Sequence, residues 1–250
     1  MLNKLKDLIK EAGEQLMYFY NYKYKNITIQ YKNNGSPVTN IDSIVNKFIM
    51  QKLYDIKPNI PILSEECLPE ISICKKWEQY WLIDPLDGTK EFLQGIPEFS
   101  INICLVKHAN PVLGLIYIPF YKILYYSYLG ISWKEVYENK KKIYINKSSS
   151  CKNTYTIAVS RYHNIIKKYQ YMKNIKSYFT LKMGSSWKFG LIAEGKVSYY
   201  PRLGNTGIWD TAAGEVIIKS SGGKILDLFN KKLDYSLNNS FINNGFHAFI

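Results

Sequence analysis

Three apolar runs, Ile101–Val106, Val112–Ile118 and Ile123–Tyr128, follow one another with only short turn-forming segments between them. They read as three consecutive strands joined by tight turns, so the chain is built round a sheet. Ahead of them, Leu2, Leu5, Leu8, Ile9, Ala12, Leu16 and Met17 fall on one stripe, with Lys, Asp and Glu opposite, which predicts an opening amphipathic helix. A turn at Asn33–Pro37 precedes a second helix that starts at Thr39, runs to about Tyr54 and is stopped by Pro58. Pro61–Leu63 and Tyr80–Ile83 read as short buried strands. Between Asn139 and Asn153 the composition shifts to Lys, Asn and Ser, which marks a connection between an N-terminal α+β half, residues 1–138, and a C-terminal half, residues 154–250. In that second half strands (Tyr155–Ser160, Val197–Tyr200, Gly223–Leu226) alternate with helices (Asn164–Met172, Ser185–Glu194 and one after Asp210), the pattern of a layered α/β unit.

Composition excludes several classes. At 250 residues the chain can bury roughly 70–75% of its unfolded surface and needs no disulfide or metal staple. No apolar run approaches the roughly 20 residues of a bilayer crossing. Lysines 4, 6 and 10 are interleaved with Asp7 and Glu11, unlike a secretory signal. Cys67, Cys74, Cys104 and Cys151 show no CxxC spacing and the histidines number three, so neither a zinc site nor a disulfide framework is expected, and the expected compartment is reducing cytosol. The net charge of +13 would suggest nucleic acid or an anionic membrane. Yet 31 of the 33 basic residues are lysine and only Arg161 and Arg202 are arginine. Lys, Asn, Ile and Tyr all have AT-rich codons, and the lysines are scattered apart from Lys140–Lys142. Mutational drift on a solvated surface accounts for the charge better than specific binding of nucleic acid does.

The chemistry concentrates in Trp81-Leu-Ile-Asp84-Pro85-Leu86-Asp87-Gly88-Thr89. A buried strand ends in a carboxylate, a proline forces a turn, and a second carboxylate follows three residues on. Two aspartates with the Leu86 carbonyl between them supply hard oxygen ligands suited to Mg²⁺. If Gly88 and Thr89 open a helix, their N–H groups can also hold an anion. Ser64-Glu65-Glu66 follows a short apolar strand, where adjacent like charges are costly unless solvated or bound to a cation. Asp210, after Ile208-Trp209, reads alone as a helix N-cap, and Thr39 with Asp42 as a capping box.

In this order the motifs resemble the lithium-sensitive, magnesium-dependent phosphatase superfamily that includes inositol monophosphatase, over essentially the whole chain from Ser36-Pro-Val-Thr39 onward. Within it, Asp87-Gly-Thr-Lys90-Glu91-Phe92, Gly184-Ser-Ser-Trp-Lys188-Phe189 and Tyr200-Pro-Arg202 upstream of Trp209-Asp210-Thr-Ala-Ala-Gly214 resemble the 3′(2′),5′-bisphosphate nucleotidase branch, the bacterial CysQ type. The resemblance implies an α/β fold, a layered α-β-α-β-α sandwich whose N-terminal half carries most metal ligands and whose C-terminal half closes over a nucleotide. It implies two Mg²⁺, with a third allowed, held by Glu65, Asp84, the Leu86 carbonyl, Asp87 and Asp210. Thr89 and Asp42, with Glu65, would position and deprotonate the attacking water. Substrate contacts would come from Glu65, Asp87, Gly88, Thr89, His163, Ser185, Lys188, Arg202 and Asp210. The implied reaction takes the 3′-phosphate from adenosine 3′,5′-bisphosphate to leave AMP, with some action on the sulfated analogue, in support of sulfate assimilation. Both arginines fall in nucleotide-site motifs, where a planar bidentate donor does what lysine cannot. The alternatives are an inositol or sugar monophosphatase and a non-catalytic basic protein that binds anions or RNA. The implied setting is cytoplasmic, with peripheral contact at the anionic inner face of the inner membrane permitted by the charge.

Overall fold

A computed structural model of the chain describes residues 1–22, 28–31, 35, 37–145, 155–162, 177–238 and 240–250. The expected opening helix is α1 (Leu2–Asn21), which buries Leu5, Leu8, Ile9, Ala12 and Leu16 on one face. After the short antiparallel pair β1 (Ile29–Tyr31) and β2 (Pro37–Thr39) comes α2 (Asn40–Ile56). Its capping box is the one expected: the Thr39 hydroxyl accepts from the N–H groups of Ile41 and Asp42, and Asp42 Oδ2 accepts from the Thr39 N–H at 2.7 Å.

The first sheet has seven strands: β3 (Ile62–Ser64), β4 (Gln79–Asp87), β5 (Ser100–Lys107), β6 (Asn110–Ile118), β7 (Ile123–Tyr128), β8 (Ile131–Val136) and β9 (Asn139–Ile143). They lie side by side in chain order, antiparallel except for the β3–β4 pair. Short helices α3 (Ile71–Cys74) and α4 (Thr89–Leu93) flank β4. The three apolar runs are thus the middle of a meander. Asn139–Ile143, expected as the start of a connection, is instead the seventh strand. Its three lysines are exposed, which blunts a free sheet edge against further pairing.

The second sheet is built from β10 (Tyr155–Ser160), β11 (Tyr178–Met183), β12 (Tyr199–Arg202), β14 (Lys224–Asp227) and β16 (Phe246–Phe249), in the order β11-β10-β12-β16-β14. A two-residue pair, β13 (Thr206–Gly207) with β15 (Ile242–Asn243), lies apart from it. Between the sheets run α5 (Trp187–Ala193) and α6 (Ile208–Ser221).

The sheet faces explain the layering. On one face of the first sheet Trp81, Ile83, Ile103 and Leu115 pack under α1 and α2. The alternate residues Tyr80, Leu82, Cys104 and Ile116 face α5, α6 and the second sheet in one continuous core. Covered by sheet on both sides, α6 is buried nearly all round, as an apolar helix without a polar stripe must be. Its small residues allow close approach: a Cβ on Gly114 of β6 would lie 2.6 Å from the Ala213 carbonyl oxygen. At the C-terminal end of α5, Glu194 accepts from Lys134 Nζ at 2.8 Å and Tyr125 Oη at 2.5 Å, tying that helix to β7 and β8. The expected sandwich therefore forms as helices, sheet, helices, sheet. The helix expected over Asn164–Met172 lies outside the described residues, and so do Ser36 and His163. No helix among the described residues is long and apolar enough to cross a membrane.

Candidate active site

The proline of Asp84-Pro85-Leu86-Asp87 does not turn the chain. Strand β4 continues through it, with Asp84 opposite Asn102 and Asp87 opposite Ser100, so that one extra residue is taken up as a bulge. Proline, lacking an N–H, is tolerated at such a break in the ladder. The bulge aims both aspartates at the same space. Asp84 is buried; its Oδ1 accepts from the Leu86 N–H at 3.0 Å, while its Oδ2 has no partner among the described residues. Gly88, at φ 94°, then caps α4, so Thr89 opens a helix as anticipated.

Glu65 and Glu66 occupy the middle of a turn closed by the Cys67 N–H on the Ser64 carbonyl at 3.2 Å, and the Glu65 N–H donates to the Ile83 carbonyl, which fastens the turn to β4. Asp210 is not the N-cap that its sequence context suggested. Helix α6 begins two residues earlier, so Asp210 sits in its first turn and accepts from the Gly207 N–H at 3.2 Å and Thr206 Oγ1 at 2.6 Å. One ligand oxygen from each of Glu65, Asp84 and Asp210 lies within 4.8 Å of the others. Asp87 stands beside this triad rather than in it, and its Oδ2 accepts from the Ser186 N–H at 2.5 Å.

The electrostatics follow from that crowding. Burial first, then the charges of Glu65, Asp87 and Asp210, hold the Asp84 carboxyl well above its ordinary range. Asp210 is pushed up to about 6, by burial and then by Asp87. Asp42, buried behind Thr89, is also raised to about 6 by burial, against the opposing hydrogen bonds from Thr39. The Thr89 hydroxyl lies 3.4 Å from Asp42 Oδ1 and 3.2 Å from the Leu86 carbonyl. Carboxylates crowded together in a buried site are costly, and a divalent cation relieves that cost. The Asp84 oxygen without a donor and the three converging carboxylates fit such an ion.

These groups line one wall of a cleft of about 460 Å³, and Ser185, Lys188 and Arg202 line the other. Lys188 is 2% exposed rather than a surface lysine, and its Nζ donates to the carbonyls of Met183 at 3.0 Å and Ser185 at 2.5 Å. Arg202 donates to Ser160 Oγ at 3.1 Å and to the Asn205 carbonyl at 3.3 Å, leaving Nε without a partner among the described residues. Arg161 is bound through Nη2 to both oxygens of Glu98, at 2.7 and 2.6 Å. Two acids of the region were not singled out from the sequence. Glu91 is buried in the cleft wall and raised by its burial, and Glu98 bridges the walls. Glu91 carried a signal, as part of the Lys90-Glu91 pair that separates the two branches. Glu98, between Pro97 and Phe99, carried none.

The chain matches the inositol monophosphatase family over residues 1–248. It belongs to that family. A relative from Buchnera aphidicola, named 3′(2′),5′-bisphosphate nucleotidase CysQ, is 43% identical over 99% of this chain and 93% of its own length. One of the same name from Salmonella typhimurium is 38% identical over the full length of both. The crystal structure of CysQ from Bacteroides thetaiotaomicron, described as a bacterial member of the inositol monophosphatase family, superposes with a TM-score of 0.82 at 29% identity, covering 98% of this chain and 96% of that one. An inositol monophosphatase from Thermotoga maritima shares the fold, with a TM-score of 0.80 at 24% identity, over 99% and 92% of the two chains. The branch that the sequence motifs resemble is the one these first relatives are named for.

Proposed function

We propose that the protein is a Mg²⁺-dependent 3′(2′),5′-bisphosphate nucleotidase that removes the 3′-phosphate of adenosine 3′,5′-bisphosphate, leaving AMP. The observation that carries the reading is the convergence of Glu65, Asp84 and Asp210 on one wall of a cleft whose other wall presents Ser185, Lys188 and Arg202. The names of the full-length relatives supply the substrate.

Glu65, Asp84, the Leu86 carbonyl, Asp87 and Asp210 would hold two Mg²⁺. Bound there, the metal supplies neutralisation of phosphate charge and a more acidic attacking water. The protein's own groups do the rest. Thr89 Oγ1, held between the Leu86 carbonyl and Asp42 Oδ1, orients the water and passes its proton to Asp42. With its carboxyl raised to about 6, Asp42 is ionised at neutral pH and still basic enough to receive that proton. Phosphoryl transfer then asks mainly for positioning and charge neutralisation. The N–H groups of the Gly88–Thr89 helix start would meet the phosphate. Ser185, Lys188 and Arg202, with His163, hold the nucleotide. The same site would accept the sulfated analogue, which links the enzyme to sulfate assimilation in the cytoplasm.

Phosphate release by the purified protein from adenosine 3′,5′-bisphosphate and from inositol 1-phosphate tests this, each run with Mg²⁺, with chelator and with Asp87→Asn. The expected result is chelator-sensitive turnover of the bisphosphate that the variant loses. Preference for inositol phosphate would keep the chemistry and overturn the substrate. No turnover of either, with salt-dependent RNA binding instead, would overturn the enzyme.

A further inference from the structure

The two walls of the cleft meet at one tight turn, Met183–Ser186. Ser185 holds φ at 49°, a left-handed conformation that a non-glycine residue keeps only when its surroundings impose it. Gly184 before it has no room for a side chain, since a Cβ there would lie 2.6 Å from Glu91 Oε1. Four hydrogen bonds impose the shape. Lys188 Nζ holds the carbonyls of Met183 and Ser185. The Ser186 N–H is on Asp87 Oδ2 at 2.5 Å, and the Gly184 N–H is on Glu98 Oε2 at 2.7 Å.

Lys188 and Asp87 belong to the cleft itself; Glu98 does not line it. Yet Glu98 touches both walls. Its carbonyl oxygen sits 3.0 Å from where a Cβ on Gly88 would be, against the residue that caps α4. Its carboxylate reaches across to Gly184 and accepts the Arg161 guanidinium.

We propose that Glu98 is a positioning residue for the reaction. By accepting from Gly184 and Arg161, it holds the Met183–Ser186 turn in the register that presents Ser185 and Lys188 to the nucleotide and the Ser186 N–H to Asp87. The placement stands on the geometry alone, and its kinetic consequence rests on the nucleotidase reading above. Without the Glu98 carboxylate the turn relaxes, Ser185 leaves the left-handed region, and the nucleotide wall loses its register while the metal triad, on other elements, stays assembled.

The test compares Glu98→Ala with Glu98→Gln, whose amide oxygen still accepts from Gly184. Two readouts are needed: hydrogen exchange over residues 183–189, and KM and kcat for adenosine 3′,5′-bisphosphate with Mg²⁺. In Glu98→Ala, the loss of hydrogen bonds to a charged group raises KM about tenfold, with kcat down no more than about threefold, faster exchange in the turn and a melting temperature lowered by only a few degrees. Glu98→Gln restores slow exchange and brings KM back to within about threefold of the parent, since its one amide oxygen still accepts from Gly184 although the charge and the second acceptor for Arg161 are lost. Parental exchange and KM in Glu98→Ala would overturn the proposal. So would equal losses in both variants accompanied by a general drop in melting temperature. If the parent protein leaves the bisphosphate untouched, the nucleotidase reading fails, and the exchange difference between the two variants still decides whether Glu98 positions the turn.

Discussion

The two walls of the cleft are built on opposite principles. On the metal wall, acids face acids: Glu65, Asp84 and Asp210 converge, and Asp84 Oδ2 has no donor among the described residues. On the other wall every named cation is already engaged, Lys188 by two carbonyls, Arg161 by Glu98 and Arg202 by Ser160 and Asn205. The first wall is therefore a set of charges waiting for a cation, stable only because the surrounding fold forces it. The second is preorganised, its side chains fixed before any ligand arrives. The contrast assigns different costs: the acids lower the stability of the metal-free protein, whereas the cations contribute to it.

Asp84→Asn breaks the comparison most strongly. In the proposed reading Asp84 is a direct metal ligand, and its loss should cost more than the roughly 10- to 100-fold typical of a residue one shell further out. Phosphate release at saturating Mg²⁺ reads that loss. The same variant should melt at a higher temperature than the parent in chelator, because it removes a carboxyl that burial and the neighbouring acids penalise. A lower melting temperature in chelator would show that the triad is not under electrostatic stress.

The metal wall was also the more legible in the sequence, for a physical reason. Asp84, Leu86 and Asp87 lie on one short stretch whose spacing alone gathers oxygen ligands, and the capping box of Thr39 and Asp42 is local too, whereas Glu65 and Asp210 joined them only through the family resemblance. What spacing did not show was the path of the backbone: a turn was expected at Pro85 and a bulge formed, because β5 continues to pair on both sides of it. Likewise Asp210 moved from N-cap into the first turn of α6 once Ile208 and Trp209 were buried between the sheets. Edge strands such as β9 and the short β13 and β15 carry little apolar periodicity, since their pairing is decided by neighbours far along the chain. The second wall is assembled from β10, the Met183–Ser186 turn, α5 and β12, so its residues announce themselves only through family motifs. Glu98, which joins the walls, has no local signature at all.

Arg202→Lys sharpens the contrast by a smaller amount. The guanidinium spans Ser160 Oγ and the Asn205 carbonyl and keeps Nε free of partners among the described residues, a planar arrangement that a single ammonium cannot copy. In the proposed reading this fork meets the second phosphate. KM for the bisphosphate should then rise about tenfold, the worth of one charge-assisted hydrogen bond, while KM for a monophosphate ester stays the same. Equal effects on the two substrates would make Arg202 a structural residue of the wall.

The smallest expected effect is a slope with pH, and it separates the site acids from the ion-paired acids elsewhere in the fold without any mutation. Asp42 and Asp210 have carboxyls raised to about 6 in the fold, with burial the first cause in each. Between the ordinary carboxylate range near 4 and that value, the folded protein binds more protons than the unfolded chain, so stability falls as pH rises. The cost is absent below about 4 and complete above about 6. Glu135 and Glu194 run the other way. Burial alone would raise them, but hydrogen bonds from Lys10 and Lys6, and from Lys134, Tyr125 and Lys196, hold both below the ordinary range. Their contribution is therefore complete above the unfolded value and is lost only in more acid solution. From about pH 4 to pH 6 the site acids should set a falling slope, opposed near its upper end by His247, whose burial lowers its imidazole. In chelator the melting temperature should decline across that window, and saturating Mg²⁺ should flatten the decline, because a cation among the carboxylates favours the same ionised form that burial penalises. A slope indifferent to Mg²⁺ would mean that the carboxylates which titrate are not those that hold the metal, and the division between a wall that waits for charge and a wall that already has it would fail.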